Sequence, residues 1–367
     1  MVSIAFTGGG TGGHIYPGLA VASMIQKKFP CRIFWIGSDA GMDKAIVEGA
    51  GIEFFGIPSG KLRRYFSMKN FSDVFRIASG FFAARRILQR EAPALLFSKG
   101  GFVSVPPCAA AKFLKIPVFT HESDYSPGLA TRINTRFAEK IFIPYQDSLV
   151  FFSGGNEEKV VVSGNPIRPD FEAADPARGR AFLGLGDSER MLLVLGGSLG
   201  SREINTLVRG CLPELIRNYT VVHQTGELTG VAQGAAHGDS PNRYKPYMYF
   251  KDEIPHIIAA AELVLCRSGA GTIWECKSLN KPMVLVPFRG SGTRGDQVEN
   301  AKHFEQAGAA VCFVEEGGDA PIKLAALINS LGEDSERRRA MGEAKIAESD
   351  AAAFIAEKII NKINGEG

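Results

Sequence analysis

The chain has 367 residues, of which 45% are apolar and 22% charged, with a formal net charge of +3. Those fractions exclude a disordered or fibrous chain, the length predicts two domains, and so small a net charge implies no nucleic-acid partner. No apolar run approaches the ~18 residues of a spanning helix, and Met1–Phe6 lacks the basic lead of a signal peptide. In chain order, Ser3–Thr7 reads as a short apolar strand running into the glycines of Gly8–Gly13. Ile15–Lys28 reads as a helix with Pro17 in its first turn, where a missing N–H costs nothing. Arg32–Ile36 is a strand and Asp43–Ala50 a helix. Ala94–Phe97 is a strand leading into Gly100-Gly101, Val105–Leu114 a helix, and Pro117–Thr120 a strand ending at His121-Glu122.

Ser163–Asp170 carries two prolines and a glycine and breaks the pattern. It predicts a first domain over 1–163, a linker over 164–170 and a second domain over 171–340. The alternation then restarts. Met191–Leu195 is a strand, Gly196–Gly200 a glycine loop, and a helix follows from about Ser201. Further strands are Thr220–His223, Leu263–Cys266, Met283–Val286 and Ala310–Phe313. Glu333–Ile363 reads as helical and charged. Its end, 341–367, is expected to pack back on the first domain. Strands alternating with helices predict the α/β class, with parallel sheets covered on both faces.

In such sheets ligands bind beyond the carboxyl ends of strands. Gly8–Gly13, Gly100-Gly101 and Gly196–Gly200 all sit there. Each alone could be a plain tight turn. Together they suit a site for more than one anionic group, because glycine admits close backbone approach and helix starts offer N–H groups. Gly8–Gly13 satisfies G-x-G-x-x-G, but Asp39 lies farther on than the dinucleotide fingerprint asks. No P-loop and no Asp-x-Asp occurs, so a leaving diphosphate would be neutralised by helix ends and arginine. The six cysteines include no C-x-x-C pair and the six histidines no metal-binding spacing, which reads as reduced thiols in a cytosolic protein with no metal and no cofactor.

His14, after the first loop, reads either as a structural hydrogen-bonder or as a base kept neutral by a helix start. His121-Glu122 reads as a cap pair or a catalytic dyad. Ser268 is expected to cap the helix after Cys266. Glu275, about two turns in, could accept from both ribose hydroxyls, and Gln297 could read sugar hydroxyls. Residues 61–90 hold eight bases against Asp73, a local +7 that leaves −4 for the rest. Interleaved aromatics make 61–82 suit an anionic bilayer surface or, alternatively, a helix pair whose rings fill the core.

Gly9-Gly-Thr-Gly-Gly-His-Ile-Tyr-Pro-Gly-Leu-Ala20 resembles the first glycine loop of the MurG family (glycosyltransferase family 28), bacterial enzymes that make lipid II. Ser98–Ser104 resembles its second loop and Gly196–Gly200 its third. Gly164-Asn-Pro-Ile-Arg168, His223-Gln-Thr-Gly226 and Cys266–Ala270 agree in the same order. The resemblance implies a GT-B fold, two Rossmann-like domains facing across a cleft. It implies metal-independent, inverting transfer of N-acetylglucosamine from UDP-N-acetylglucosamine to the C4 hydroxyl of lipid I, the undecaprenyl-diphosphate-linked muropeptide. The enzyme would sit peripherally at the cytoplasmic face of the cell membrane.

The donor would contact Thr11, Gly12, Gly13, Arg168, Ser198, Phe250 over the uracil, Lys251, Ser268, Gly269, Ala270, Gly271, Thr272, Glu275 and Gln297. The acceptor would meet Gly10, Thr11, Gly12, Gly13, His14, Gly100, Gly101, His121 and Asp124. His14 leads as base, with Glu122 and Asp124 beside it, and Lys61, Arg63, Arg64, Tyr65, Phe66 and Lys69 would face the membrane. Many members read His-Glu-Gln-Asn where this chain has His121-Glu-Ser-Asp124. Many also carry a second glutamine where this chain has Asp296, and the loop from Gly290 to Gly295 is slightly longer here. A UDP-sugar epimerase of the same architecture is the main alternative. A nicotinamide-dependent oxidoreductase and a two-lobed binding protein are more distant ones.

Overall fold

The computed structural model describes residues 1–60, 69–197, 200–226, 243–290, 295–346 and 350–366, and of 69–74 the backbone only. The chain forms two units, Met1–Arg168 with Ala347–Gly367, and Pro169–Ile346.

The first unit holds strands β1 (Val2–Thr7), β2 (Cys31–Ser38), β3 (Glu53–Ile57), β4 (Leu95–Ser98), β5 (Val118–His121), β6 (Lys140–Ile143) and β7 (Val160–Val162). They pair in parallel in the order β3-β2-β1-β4-β5-β6-β7. Helices α1 (Tyr16–Lys28), α2 (Asp43–Gly49), α3 (Lys69–Glu91), α4 (Val105–Phe113) and α5 (Leu129–Asn134) cover it. Both faces of the sheet are buried, which is why its central strands are continuously apolar rather than alternating. Ile4, Phe6, Trp35 and Phe97 enter the core on one face, and Ala5, Phe34, Ile36 and Leu96 the core on the other.

The second unit begins with α6 (Pro176–Leu183) and β8 (Met191–Leu195), followed by α7 (Arg202–Asn218) and β9 (Thr220–Gln224). It continues with β10 (Tyr244–Tyr247), α8 (Ile254–Ala260), β11 (Leu263–Cys266), α9 (Ala270–Ser278), β12 (Met283–Leu285), α10 (Asp296–Gln306) and β13 (Ala310–Cys312). The parallel order is β10-β9-β8-β11-β12-β13. The α/β class with two parallel sheets is as the sequence predicts.

The strand orders locate the sites. In the first sheet the winding reverses between β1 and β4, and in the second between β8 and β11. Ligand crevices open beyond the carboxyl ends of strands at such reversals. The loops concerned begin at Gly8, Lys99, Gly196 and Arg267.

Helix α11 (Ala320–Glu333) ends where the stretch read as helical, Glu333–Ile363, begins, and that stretch holds two helices, α12 (Ser335–Glu343) and α13 (Ala351–Asn364). Aspartates restart the chain each time. Asp334 accepts from Arg337 N–H, and Asp350 from the N–H groups of Ala352 and Ala353, as N-caps do. Helix α13 belongs to the first unit, where Ile355 and Ile359 share a core with Val21, Met24 and Ile25 of α1. Among the described residues, no helix is long and apolar enough to cross a membrane. Ile359 is fully buried, so Ile359→Ala is expected to cost about 2–5 kcal/mol, read as a lower urea midpoint. An unchanged midpoint would mean that this helix contributes nothing to the core.

Candidate functional site

In the first unit the loop after β1 lies against the loop after β4. A Cβ on Gly101 (φ +77°) would come 2.6 Å from the Gly9 carbonyl oxygen and 3.1 Å from His14 Cδ2, so only glycine allows the approach. His14 closes a short helical turn, Gly12–His14, just before α1. Its Nδ1 lies 3.3 Å from the Lys99 carbonyl oxygen. A carbonyl only accepts, so Nδ1 carries the proton and the lone pair is on Nε2, the tautomer a base requires.

Several predicted residues of this unit already have partners within it. Gly10, expected to meet the acceptor, donates its N–H to Asp43 Oδ1 at 2.9 Å. Asp43, 1% exposed, also accepts from Ser38 N–H at 3.1 Å. A buried carboxylate from the start of α2 thus occupies the loop's own amide. Nothing in local sequence signals this, because the partners are 33 residues apart. Glu122 is no free base. Its two oxygens accept from Ser123 N–H, Asp124 N–H, Gly128 N–H and Thr131 Oγ1 at 2.6–3.1 Å, which organises the 122–131 segment. His121 is fully buried and donates from Nε2 to the Gly164 carbonyl at 3.0 Å. Burial holds its pKa well below the ordinary value, so it stays neutral and out of a ligand's reach. Arg168 lies with its guanidinium 4.7 Å from the Tyr16 ring centre, a cation–π contact just past the first loop.

In the second unit a cavity of about 440 Å³ is lined by Gly196, Gly200, Ser201, Arg202, Glu203, Arg267, Phe288 and Gln297. The N-terminus of α7 opens onto it, with Ser201 Oγ capping Ile204 N–H. Arg267 is held by Glu203 at 2.7 Å and by the Val286 carbonyl at 3.0 Å. Gln297 accepts from Phe288 N–H through Oε1 at 2.9 Å, which turns its Nε2 donor the other way. The sequence reading included Gln297 but assigned nothing to Arg267, whose signal was its place directly after β11.

Ser268 does not cap α9 as expected. It is fully buried and donates to the Gln297 carbonyl at 2.7 Å, while Gly269 precedes the helix. That bond ties Gln297 to the first turn of α9, Ala270-Gly271-Thr272, and Glu275 follows half-buried on the same helix. Gln224, unassigned from sequence, bridges two more segments. Its Nε2 donates to the Gly197 carbonyl at 3.0 Å and its Oε1 accepts from Phe250 N–H at 3.1 Å. Phe250 is buried, with its ring centre 4.7 Å from that of Tyr247. Lys251 N–H donates to Glu253 at 3.3 Å. Asp296 opens α10, where an acid is favoured at the positive helix end. Ser198, the loop 291–294, and Lys61, Arg63, Arg64, Tyr65 and Phe66 lie outside the described residues, as does the side chain of Lys69.

Two family models match: the glycosyltransferase family 28 N-terminal domain over residues 4–143 and its C-terminal domain over 191–359. A Treponema denticola protein named UDP-N-acetylglucosamine--N-acetylmuramyl-(pentapeptide) pyrophosphoryl-undecaprenol N-acetylglucosamine transferase is 45% identical, covering 95% of this chain and 94% of its own. A Clostridium botulinum protein of the same name is 40% identical over 86% of this chain and 87% of its own. Among solved structures, MurG of Acinetobacter baumannii matches with a TM-score of 0.71 at 22% identity over the whole of both chains. A UDP-GlcNAc 2-epimerase of Neisseria meningitidis matches with 0.69 at 15% identity, also over both whole chains. The two scores are nearly equal, so the fold alone does not separate transferase from epimerase. The sequence relatives do, and this chain belongs to glycosyltransferase family 28.

Proposed function

We infer that the chain transfers N-acetylglucosamine from UDP-N-acetylglucosamine to the C4 hydroxyl of lipid I, with inversion, forming lipid II for peptidoglycan synthesis. The observation that carries this is 40–45% identity, across nearly the whole chain, to proteins named for that transferase. In this reading the second unit holds the donor. The N-terminus of α7 and the guanidinium of Arg267 face the 440 Å³ cavity and answer diphosphate charge. The open N-terminal turn of α9, from Gly269 to Thr272, receives further oxygens. Glu275 accepts from the ribose hydroxyls, Gln297 Nε2 donates to the sugar, and the segment at Phe250 and Lys251 takes the uracil.

The first unit holds the acceptor at Thr11, Gly12, Gly13, Gly100, Gly101 and Asp124. His14 Nε2 takes the proton of the C4 hydroxyl as its oxygen bonds to the anomeric carbon. The bond from that carbon to the diphosphate breaks on the opposite side, and UDP leaves with the electron pair. One displacement inverts the centre. Peptide dipoles and arginine supply the stabilisation that a divalent ion gives elsewhere.

Removing one charge-assisted contact to the ribose costs roughly 10- to 100-fold. Glu275→Ala is therefore expected to raise KM for UDP-N-acetylglucosamine by that factor while leaving kcat nearly unchanged. An unchanged KM would remove Glu275 from the donor site. Transfer to lipid I in excess EDTA is expected at the untreated rate, and an obligatory divalent ion would contradict the electrostatic scheme. Protein that epimerises the donor and leaves lipid I untouched would favour the epimerase instead.

The lipid-linked acceptor calls for a membrane surface. Phe75, Ser79, Phe82 and Arg86 follow one stripe of α3, and Phe75 and Phe82 are 67% and 59% exposed. Nearby on the same unit Phe113 is exposed, with the Arg85 guanidinium 4.8 Å from its ring centre. Exposed rings beside arginines suit the headgroup region of an anionic leaflet, where each base contributes about 1 kcal/mol. Phe75→Ser with Phe82→Ser is expected to abolish sedimentation with phosphatidylglycerol vesicles and leave UDP binding intact. Undiminished sedimentation would place the membrane contact elsewhere.

A further inference from the structure

Lys99, between β4 and the second glycine pair, is 1% exposed. An ammonium taken out of water costs several kcal/mol unless its hydrogen bonds and its charge are answered. Here Nζ donates to Ser123 Oγ, which in turn donates to Asn165 Oδ1 at 3.0 Å. The charge is answered by Glu122 and Asp124, which raise the ammonium's pKa against the stronger effect of burial and leave it at about 8. From β5, His121 feels the same cation, which helps keep its ring neutral. The main chain of Lys99 is fixed as well. Its N–H donates to the Thr7 carbonyl at 2.8 Å, and its carbonyl accepts His14 Nδ1. A hydrocarbon side chain of similar length would avoid the cost of burying a charge. A cation placed there answers a need other than packing.

That need follows from the acceptor reading above, on which the inference rests. Glu122 and Asp124 would set two anions beside the place assigned to an anionic acceptor. One buried ammonium cancels one of them, and being internal it is not screened by salt as a surface lysine would be. We propose that Lys99 is a positioning residue for the transfer: through Ser123 its ammonium fixes the turn that carries Asp124 and neutralises the acceptor end, while its carbonyl sets the tautomer of His14. The charged groups facing it are Glu122, Asp124 and His121 from β5 and the segment after it, and His14 from the loop after β1.

The sign of the pH dependence follows. Above about pH 8 the ammonium loses its proton and the two carboxylates stand uncompensated, so transfer falls. Stability moves the other way. The folded pKa of about 8 lies below the ordinary 10.5, so the unfolded chain binds more protons between those values and this group's contribution to stability rises across them. The test is kcat/KM for lipid I from about pH 6 to about pH 9.5, with Tm recorded in the same buffers. Wild type is expected to show an alkaline limb near pH 8 with no loss of Tm attributable to it. K99M is expected to lose on the order of 10- to 100-fold in kcat/KM at neutral pH and to lack that limb, while UDP still protects it from thermal unfolding. S123A deletes only a hydroxyl and serves if K99M does not fold. Its ammonium lacks an acceptor, so its limb moves to lower pH. A wild-type profile flat through pH 8, or one left unchanged in S123A, overturns the proposal. Wild-type protein that does not convert lipid I would overturn the transfer reading itself.

Discussion

The first site depends on two glycine loops touching. The Gly9 carbonyl lies so close to Gly101 that a methyl group there would sit 2.6 Å away, and the same methyl would press on the His14 ring. That contact sets the distance between the β1 and β4 strand ends at the winding reversal, and His14 reaches the Lys99 carbonyl because of it. Any side chain at Gly101 must part the loops, and parting them frees the imidazole from the acceptor that sets its tautomer. Backbone packing and the tautomer of His14 are therefore one constraint here.

Around that contact the charged side chains divide by what they bond. Asp43 and Glu122 are spent on backbone N–H groups and hold loops in place. A buried carboxylate whose oxygens accept mainly from backbone N–H groups is a structural group, however near a ligand it sits. Lys99 is different: its ammonium donates to a hydroxyl, and the charges of Glu122 and Asp124 favour its protonated form against burial. The second unit adds neutral groups to its Arg267–Glu203 ion pair. Gln224 joins Gly197 to Phe250, and Ser268 joins α9 to Gln297. Amides suffice where the neighbouring helix ends already supply positive potential.

The legible part of the fold was the part written in local pattern. Met191–Leu195 ahead of Gly196 and Leu263–Cys266 ahead of Arg267 are apolar runs stopped by breakers, and they are strands β8 and β11. Glu53–Ile57 and Tyr244–Tyr247 carry a charge, a glycine or a proline within a few residues, and they escaped notice as strands. Pro246 is tolerated because β10 is an edge strand. The places of the glycine loops, His14 and Gln297 in the fold could be read because they are local: a turn, a helix start, a helix's first residues. Asp43, Gln224 and Lys99 could not. The partners they bridge to, Gly10, Gly197, Phe250 and Ser123, lie 24 to 33 residues away in sequence, and only the sheet order brings them together.

What separates this chain from an epimerase of the same architecture must lie outside the features they share. The fold is common to both, as the nearly equal TM-scores of 0.71 and 0.69 indicate. An epimerase needs no second substrate and no lipid surface. The features that such an enzyme would leave without purpose lie in the first unit: the buried Lys99 ammonium, and exposed phenylalanines with arginines along α3. Burying a cation and exposing large rings both cost free energy in water. A partner that offsets both costs suits such a unit, and an anionic diphosphate tethered to an acyl chain offers both kinds of compensation at once.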